Sequence, residues 1–347
     1  MAKVGLAYNL FQIDCLQELP LDCIVELDST GTIRAVTEAI ESRGHDVFLL
    51  EADKCFAEKL EAVKPDIIFN MAEGLHGESR EAQVPAVCEM YKIPYTGFGV
   101  LSLALCLNKA YTNQLLAANN FGIPTFQVIC SPYDELTPDM KFPIIVKLNN
   151  EGSSMGLNDK SVVFSLKQLR SQADYLIHTY KRPLLVQEFV MGREFTVGVL
   201  GNRNPVTLPI TESVFDNPYG INLFNLDKET IVQLEQTLGK SFLDDYYDRV
   251  LSDHSVCPAE ISSVLASRIN QVVIRAYKTL YCRDWGRIDL RVGFDDQIYI
   301  LDVNPIAGIS PGGWLPNSAQ IAGLDYAAFV NRILDIAIDR VSERNCY

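Results

Sequence analysis

The chain has 347 residues, 48% of them hydrophobic and 21% charged, which is enough to bury two or three cores and is ordinary for a globular protein. A formal net charge of −14 argues against nonspecific binding to nucleic acid or an anionic membrane, though not against a buried anion held by a few lysines. No apolar run reaches the ~20 residues of a membrane span, and the nine scattered cysteines form no Cys-x-x-Cys pair, which fits a reduced, cytoplasmic protein without structural zinc.

The N-terminus turns polar too soon for a signal peptide, so Val4–Tyr8 reads as a first strand, followed by an irregular acidic segment to about Leu27. Asp28-Ser29-Thr30 caps a helix that runs to Arg43 and ends at Gly44. His45–Leu50 is the second strand, Ala57–Lys64 the next helix and Asp66–Asn70 the third strand. Strands alternating with helices make parallel βαβ units, here an α/β domain that finishes near Pro94-Tyr95-Thr96-Gly97. One helix is predicted over Ala104–Asn119, then strands over Thr125–Cys130 and Phe142–Lys147. Leu184–Val190 is apolar enough for a buried strand or an interdomain connector, and Glu194–Leu200 begins another strand. Residues 201–225 read as loop, and 226–256, acidic and polar, as an insertion or a mobile cover. A helix follows from Pro258 to about Tyr281, and a last one covers Tyr326–Glu343.

Between those two helices lies the stretch with the most chemical content. Trp285–Val292 and Ile298–Asn304 alternate apolar with polar residues across the turn Gly293-Phe294-Asp295-Asp296-Gln297, the pattern of a β-hairpin. A period of two puts Arg287 and Asp289 on one face, and Asp302 and Asn304 on one face. If the faces coincide, two carboxylates and an amide meet a guanidinium, a set of hard ligands suited to Mg²⁺ that also holds nucleotide phosphates. A half-exposed hairpin whose polar face meets water produces the same pattern.

Further candidates lie upstream. In Gly152-Ser153-Ser154-Met155-Gly156, small residues let backbone N–H groups approach an anion, and Lys147, at the end of the preceding strand, supplies charge. A plain serine–glycine turn looks the same, and the loop matches neither standard glycine-rich nucleotide fingerprint. Lys109 is a second candidate phosphate ligand, although most helical lysines are simply solvated. Glu188-Phe189-Val190 has the character to stack a purine and read its edge, with Glu194 on the ribose hydroxyls; a core strand with an acidic end is the alternative. The four histidines show no metal spacing, and His76 sits in a glycine-bearing loop after a strand, where ligands of α/β sheets bind.

Together, Lys109, Lys147, the Glu151-Gly-Ser-Ser-Met-Gly loop, Gly192-Arg193-Glu194-Phe195-Thr196-Val197, Trp285-Gly286-Arg287-Ile288-Asp289, and Asp302-Val303-Asn304 with Gly308 resemble the ATP-grasp ligases in content and order. The likeness is greatest to the D-alanine–D-alanine ligase branch, which His76-Gly77 and Ile93–Gly97 also match, and it covers about residues 28 to 340. It implies a mixed α/β ATP-grasp fold with a Rossmann-like N-terminal domain over 1–100, a central subdomain over 101–187, and a C-terminal subdomain over 188–347 carrying the metal and oxyanion site. It also implies ATP and Mg²⁺ (or Mn²⁺) as cofactors. Lys109 and Lys147 would hold phosphates, with Ser153 and Ser154 closing over them. Glu188 and Val190 would face adenine and Glu194 the ribose. Asp289, Asp302 and Asn304 would bind two metal ions. Arg287, the Gly308 N–H and Ser153 would be the catalytic groups, Arg287 and Gly308 on the oxyanion. The family usually has glutamate where Asp302 stands.

The implied reaction is ADP-forming ligation. The γ-phosphoryl group activates a carboxylate as an acyl phosphate, an amine attacks, and phosphate leaves. Departures from the family concern the substrates. Ala7-Tyr8-Asn9-Leu10 lacks the glutamate that holds the first substrate's ammonium, and Gly313 stands where a serine holds the second substrate's carboxylate. The loop after His76 is shorter and brings in Arg80, and the 210–225 loop, with Tyr219, differs. His76, Arg80, Tyr219 and Gly313 are therefore the substrate candidates, with Trp314 suggesting a reshaped acceptor pocket. The expectation is a ligase joining a carboxylate, or a vinylogous acid such as a mycosporine, to an amino acid's amine. The alternatives are a D-alanine–D-alanine ligase and a nucleotide-binding regulator without turnover. An oxyanion arginine beside three metal ligands speaks against the regulator. The expected partners are small molecules, and family likeness implies a homodimer.

Overall fold

The computed structural model describes residues 1–10, 22, 27–215, 219–221, 236 and 254–343. The acidic segment expected before Leu27 and most of the expected 226–256 cover lie outside these residues. The first sheet is parallel, ordered β2-β1-β3, from β1 (Lys3–Tyr8), β2 (Asp46–Glu51) and β3 (Ile67–Asn70). Helix α1 (Thr30–Glu41) starts where predicted, with the Ser29 side chain accepting the Thr32 N–H, and α2 (Phe56–Val63) ends at Lys64 in the left-handed region. A short 3-10 turn, Arg80–Ala82, leads into α3 (Gln83–Tyr91), an element not singled out from sequence.

The single helix expected over Ala104–Asn119 is two. Helix α4 (Val100–Leu107) stops at Asn108, which has extended backbone angles (φ −87°, ψ 97°), and α5 (Lys109–Ala118) restarts there. Asn108 makes the break because its side chain accepts the Tyr111 N–H as an N-cap, an alternative to continuing the ladder that asparagine offers readily. The consequence is positional. Lys109 becomes the first residue of a helix instead of one more solvated position along it.

The central sheet is antiparallel, ordered β4-β7-β5-β6, from β4 (Phe126–Ile129), β5 (Ile144–Leu148), β6 (Val162–Val163) and β7 (Leu184–Glu188), with α6 (Leu166–Tyr180) packed on it. Leu184–Glu188 is thus a buried strand, paired on both edges, not a connector. The third sheet contains β8 (Gly192–Leu200), β9 (Val206–Thr207), β10 (Thr211–Val214), β11 (His254–Val256), β12 (Trp285–Gly293) and β13 (Ile298–Asn304), in the order β11-β10-β8-β12-β13 with β9 also on β8. Two of these strands, β9 and β10, correct the expectation of loop over 201–225. Both are too short to carry a periodic signal and owe their extension to pairing with β8.

Helix α7 (Ser263–Thr279) covers the third sheet, starting at the Ser262 cap, later than the expected Pro258. Helices α8 (Trp314–Ile321) and α9 (Tyr326–Ser342) follow the hairpin. Although last in sequence, α9 buries Phe329, Val330, Ile333 and Leu334 in one core with Val4, Leu6 and Phe69 of the first sheet and Val36 and Ile40 of α1. Each such side chain contributes ~1.5–3 kcal/mol relative to exposure, so α9 fastens the end of the chain to its beginning.

Candidate active site

The hairpin forms as predicted, and its register supplies the geometry. Arg287 pairs with Asn304 and Asp289 with Asp302, and a bulge follows Asp289. On its other edge, β12 aligns Arg287 with Gly198, Asp289 with Thr196 and Arg291 with Glu194. Directly opposed residues project to the same side, so Glu194, Thr196, Arg287, Asp289, Arg291, Asp302 and Asn304 share one face.

Asp289 organises that face. Its Oδ1 accepts from Arg287 Nε at 3.0 Å and Thr196 Oγ1 at 2.7 Å, and its Oδ2 from Arg287 Nη2 at 3.0 Å and Asn304 Nδ2 at 2.8 Å. Four donors match the lone-pair capacity of a carboxylate, and the fork fixes Arg287 in its plane. Burial opposes the guanidinium charge, but Asp289 outweighs it, and the Arg287 pKa rises above its ordinary value. Among the described residues Nη1 has no hydrogen-bond partner. The guanidinium carbon lies 5.6 Å from the centre of the Trp314 ring. Gly198, opposite Arg287 in the register, makes this possible, because a Cβ there would collide with Leu315 of α8.

Two lysines reach the same face from other elements. Lys109, buried at the start of α5, places Nζ 2.6 Å from Asp302 Oδ2. Lys147, in β5, donates to the Leu301 carbonyl at 3.3 Å. Asn149 joins the two carriers. Its carbonyl accepts the Lys109 N–H, its Oδ1 accepts the Ala110 N–H, and its Nδ2 donates to Asn108. Burial pushes the Lys147 ammonium down to about 8 from an ordinary 10.5, with Lys109 adding to the effect and Asp302 opposing it. As pH rises through about 8 the folded protein loses this charge, and affinity for MgADP, measured by titration calorimetry from pH 7 to 9.5, is expected to fall. An unfolded Lys147 keeps its proton to about 10.5, so the cost of burying it is fully present below pH 8 and is relieved between the two values.

The serine loop lies next to these lysines in sequence. Ser153 (φ 51°) and Ser154 (φ 58°) both adopt left-handed backbone, a cost of ~1–3 kcal/mol each that the surroundings must sustain. Turn hydrogen bonds run from Met155 N–H to Gly152 and from Leu157 N–H to Ser154. The Glu188 carboxylate accepts the Lys141 N–H at 2.8 Å. The Val190 carbonyl is held by Arg291 Nη1 at 2.9 Å, while among the described residues the Val190 N–H has no partner. Arg291 Nε meets Glu194 Oε2 at 2.7 Å, and its guanidinium lies 4.4 Å from the Phe189 ring centre. Tyr219 belongs to this group, its ring 5.0 Å from Phe164 and 6.2 Å from Phe189. The expected substrate tyrosine therefore sits with the residues expected around the base.

The other expected substrate residues divide. His76 is exposed, and its carbonyl accepts from Gln83. Arg80 is 3% exposed and its guanidinium is spent on protein groups, the carbonyls of Glu73 and Gly74 and the Glu151 carboxylate. Arg80 is thus paired where it lies, as so buried a charge must be, beside the loop that carries His76. Asn9 is equally committed, with Oδ1 accepting the Gly74 N–H and Nδ2 donating to the Ala52 carbonyl. Gly313 is the N-cap of α8 and offers no side chain; past it, the Trp314 and Leu315 N–H groups carry no hydrogen bond among the described residues. Gly308 is exposed, and its N–H is likewise open.

Sequence reading passed over Thr196, Arg291 and the Asn108–Asn149 clasp. Arg291 continues the period-two series from Arg287 and Asp289, so the signal was there. Thr196 depends on the β8–β12 register, which nothing local reveals.

Asp289, Asp302 and Asn304 fit a hard divalent cation, being all oxygen donors on one face. No cluster of three His, Cys, Asp or Glu side chains that could hold a metal occurs among the described residues, so the Asn304 amide is needed as a third donor. Its Nδ2 turns to Asp289, and its oxygen has no hydrogen bond among the described residues. Both carboxylates are already paired, Asp289 with Arg287 and Asp302 with Lys109, so a metal bound here would take over lone pairs that these cations now fill.

This arrangement, an antiparallel central sheet and a larger sheet whose polar faces meet at lysines and carboxylates, is the ATP-grasp fold. The structure of D-alanine–D-alanine ligase from Bacillus anthracis complexed with ATP superposes with a TM-score of 0.72 over 99% of this chain and 100% of that one, at 18% identity. VanG D-Ala:D-Ser ligase from Enterococcus faecalis gives 0.70 at 17% identity, over 96% and 99%. Residues 131–335 match the family model "D-ala D-ala ligase C-terminus". D-alanine–D-alanine ligase of Aquifex aeolicus is 30% identical over 307 residues, 88% of this chain and 94% of its own. An uncharacterized protein, y4sG, of Sinorhizobium fredii is 30% identical over 311 residues, 87% and 86% of the two chains. The chain belongs to the D-alanine–D-alanine ligase family, and with it to the ATP-grasp carbon–nitrogen ligases.

Proposed function

We propose that this protein is an ATP-dependent, ADP-forming ligase of the D-alanine–D-alanine type, joining a carboxylate to the amine of an amino acid. The observation that carries the reading is Arg287, fixed by Asp289 on one edge and Trp314 on its face, with Nη1 left open. A mere nucleotide binder has no use for a guanidinium held in this way.

Bound MgATP supplies the γ-phosphoryl that converts the carboxylate to an acyl phosphate. In this reading Lys109 and Lys147 neutralise its phosphates, and the Ser153–Ser154 loop covers them. The open Val190 N–H reads the base beside Glu188, and Glu194, steadied by Arg291, takes the ribose hydroxyls. Asp289, Asp302 and Asn304 hold the metal. Arg287 Nη1 and the Gly308 N–H then receive the oxyanion charge as the amine attacks. The division at 1–100, 101–187 and 188–347 belongs to the same proposal. So do a cytoplasmic location, supported by the six free cysteines described, and a homodimer, supported by the exposed Phe48 and Leu49 of edge strand β2.

A second, narrower reading concerns the acid. At the place after β1 where D-alanine ligases hold the first ammonium, Asn9 is 5% exposed and fully engaged with Gly74 and Ala52. This supports an acid without an α-ammonium, including a vinylogous acid of the mycosporine kind. Phosphate release by purified protein with MgATP decides between the readings. Release with D-alanine alone, yielding its dipeptide, supports the first and removes the second. Release that requires a non-amino acid together with an amino acid supports the second, and no release with any pair removes both.

A further inference from the structure

Arg80 occupies a position that its sequence did not announce. Its Nη1 donates to the carbonyls of Glu73 at 2.9 Å and Gly74 at 3.4 Å, the start of the loop that carries His76. Its Nη2 donates at 3.1 Å to Glu151 Oε2, and Glu151 directly precedes Gly152-Ser153-Ser154. Side-chain exposures of 3% and 9% put this ion pair away from water, where an arginine fork is strong and directional. Arg182 approaches the other Glu151 oxygen at 3.3 Å from the far side.

The first of these loops is also tied to Asn9, after β1. Gly74, in left-handed backbone at φ +73°, donates its N–H to Asn9, and a Cβ there would strike the Arg80 carbonyl. One guanidinium therefore bridges the loop that carries His76 and the loop expected over the phosphates. These belong to different units of the chain and share no strand.

We propose that Arg80 is a positioning residue that couples the 73–79 loop to the serine loop, so that ordering either one orders the other. The proposal rests on the nucleotide reading of the serine loop. Nucleotide binding would then prepare the acid side of the site, and by reciprocity an acid bound there would tighten nucleotide.

Amide hydrogen exchange of the full chain, with and without Mg²⁺ and a non-hydrolysable ATP analogue, tests it. In the wild type, nucleotide is expected to slow exchange in both 151–157 and 73–79, the second by at least ~5-fold, the lower end of ordinary coupling. In Arg80→Gln, protection of the serine loop remains and that of 73–79 disappears. Glu151→Gln approaches the pair from its other end and keeps the test open should the Arg80 variant fail to fold. Arg80→Lys, which keeps charge without the fork, recovers part of the remote protection. Equal protection of 73–79 in wild type and either Gln variant overturns the coupling, as does wild-type protection confined to 151–157. A wild type that binds no nucleotide overturns the nucleotide reading and this proposal with it.

Discussion

Arg287→Ala is expected to reduce kcat by ~10²–10³ while leaving the Kd for MgADP within a few-fold of wild type. The substitution removes the open Nη1 donor and the Trp314 contact, and it leaves Asp289 with its hydrogen bonds from Thr196 and Asn304. The lysines are not in contact with Arg287 through any of these bonds, which is why binding and turnover should separate. Arg287→Lys is expected to recover little, because an ammonium cannot keep the two-point contact with Asp289 and also face the reacting centre. Steady-state turnover and titration calorimetry on the same preparation measure both quantities. A loss of nucleotide affinity as large as the loss of kcat would place Arg287 on the phosphates instead of the oxyanion.

The second large effect is on stability. Asp284 is fully buried, and its carboxylate accepts from the Gly97 N–H at 2.8 Å, Asn202 Nδ2 at 2.9 Å and Arg340 Nε and Nη2 at 2.9 Å each. Gly97 closes the first unit, Asn202 follows β8, and Arg340 lies on α9, so one side chain joins three distant parts of the chain. Removing one member of a buried ion pair leaves the other charge uncompensated, and Asp284→Ala is expected to cost ~3–5 kcal/mol in urea unfolding. Arg340→Ala leaves the fully buried Asp284 carboxylate without its cation, so it should cost as much, and the double variant less than the sum of the two. A cost below ~1 kcal/mol for Asp284→Ala would mean that water replaces these bonds.

Much of the candidate site was legible because its residues obey local rules. Arg287 and Asp289, like Asp302 and Asn304, follow the period of a strand, and a hairpin must bring its two strands together. What period two leaves open is whether the two faces coincide, since a slip of one residue reverses one of them. Lys109 illustrates the opposite case. A helix drawn through Asn108 left it a candidate phosphate ligand with a solvated position as the alternative, and the cap and the bond to Asn149 place it at a helix start. The partners of Arg80 were hidden for a similar reason. An arginine in a glycine-bearing loop suggests a substrate contact, yet its partner Glu151 lies 71 residues away and leaves no mark near it.

By itself, then, the sequence determined the alternating strands and helices, the cap at Ser29, the hairpin and the order of the charged motifs. Each depends on residues within a few positions of one another, where backbone geometry and side-chain period act directly. The tertiary structure alone decided the β8–β12 register that puts Thr196 and Glu194 beside Asp289 and Arg291, the extension of β9 and β10, the return of α9 to the first core, and the partners of Arg80 and Asp284. Those features depend on contacts between segments far apart in the chain, and the free energy that fixes them comes from burial and charge pairing that exist only once the units have packed.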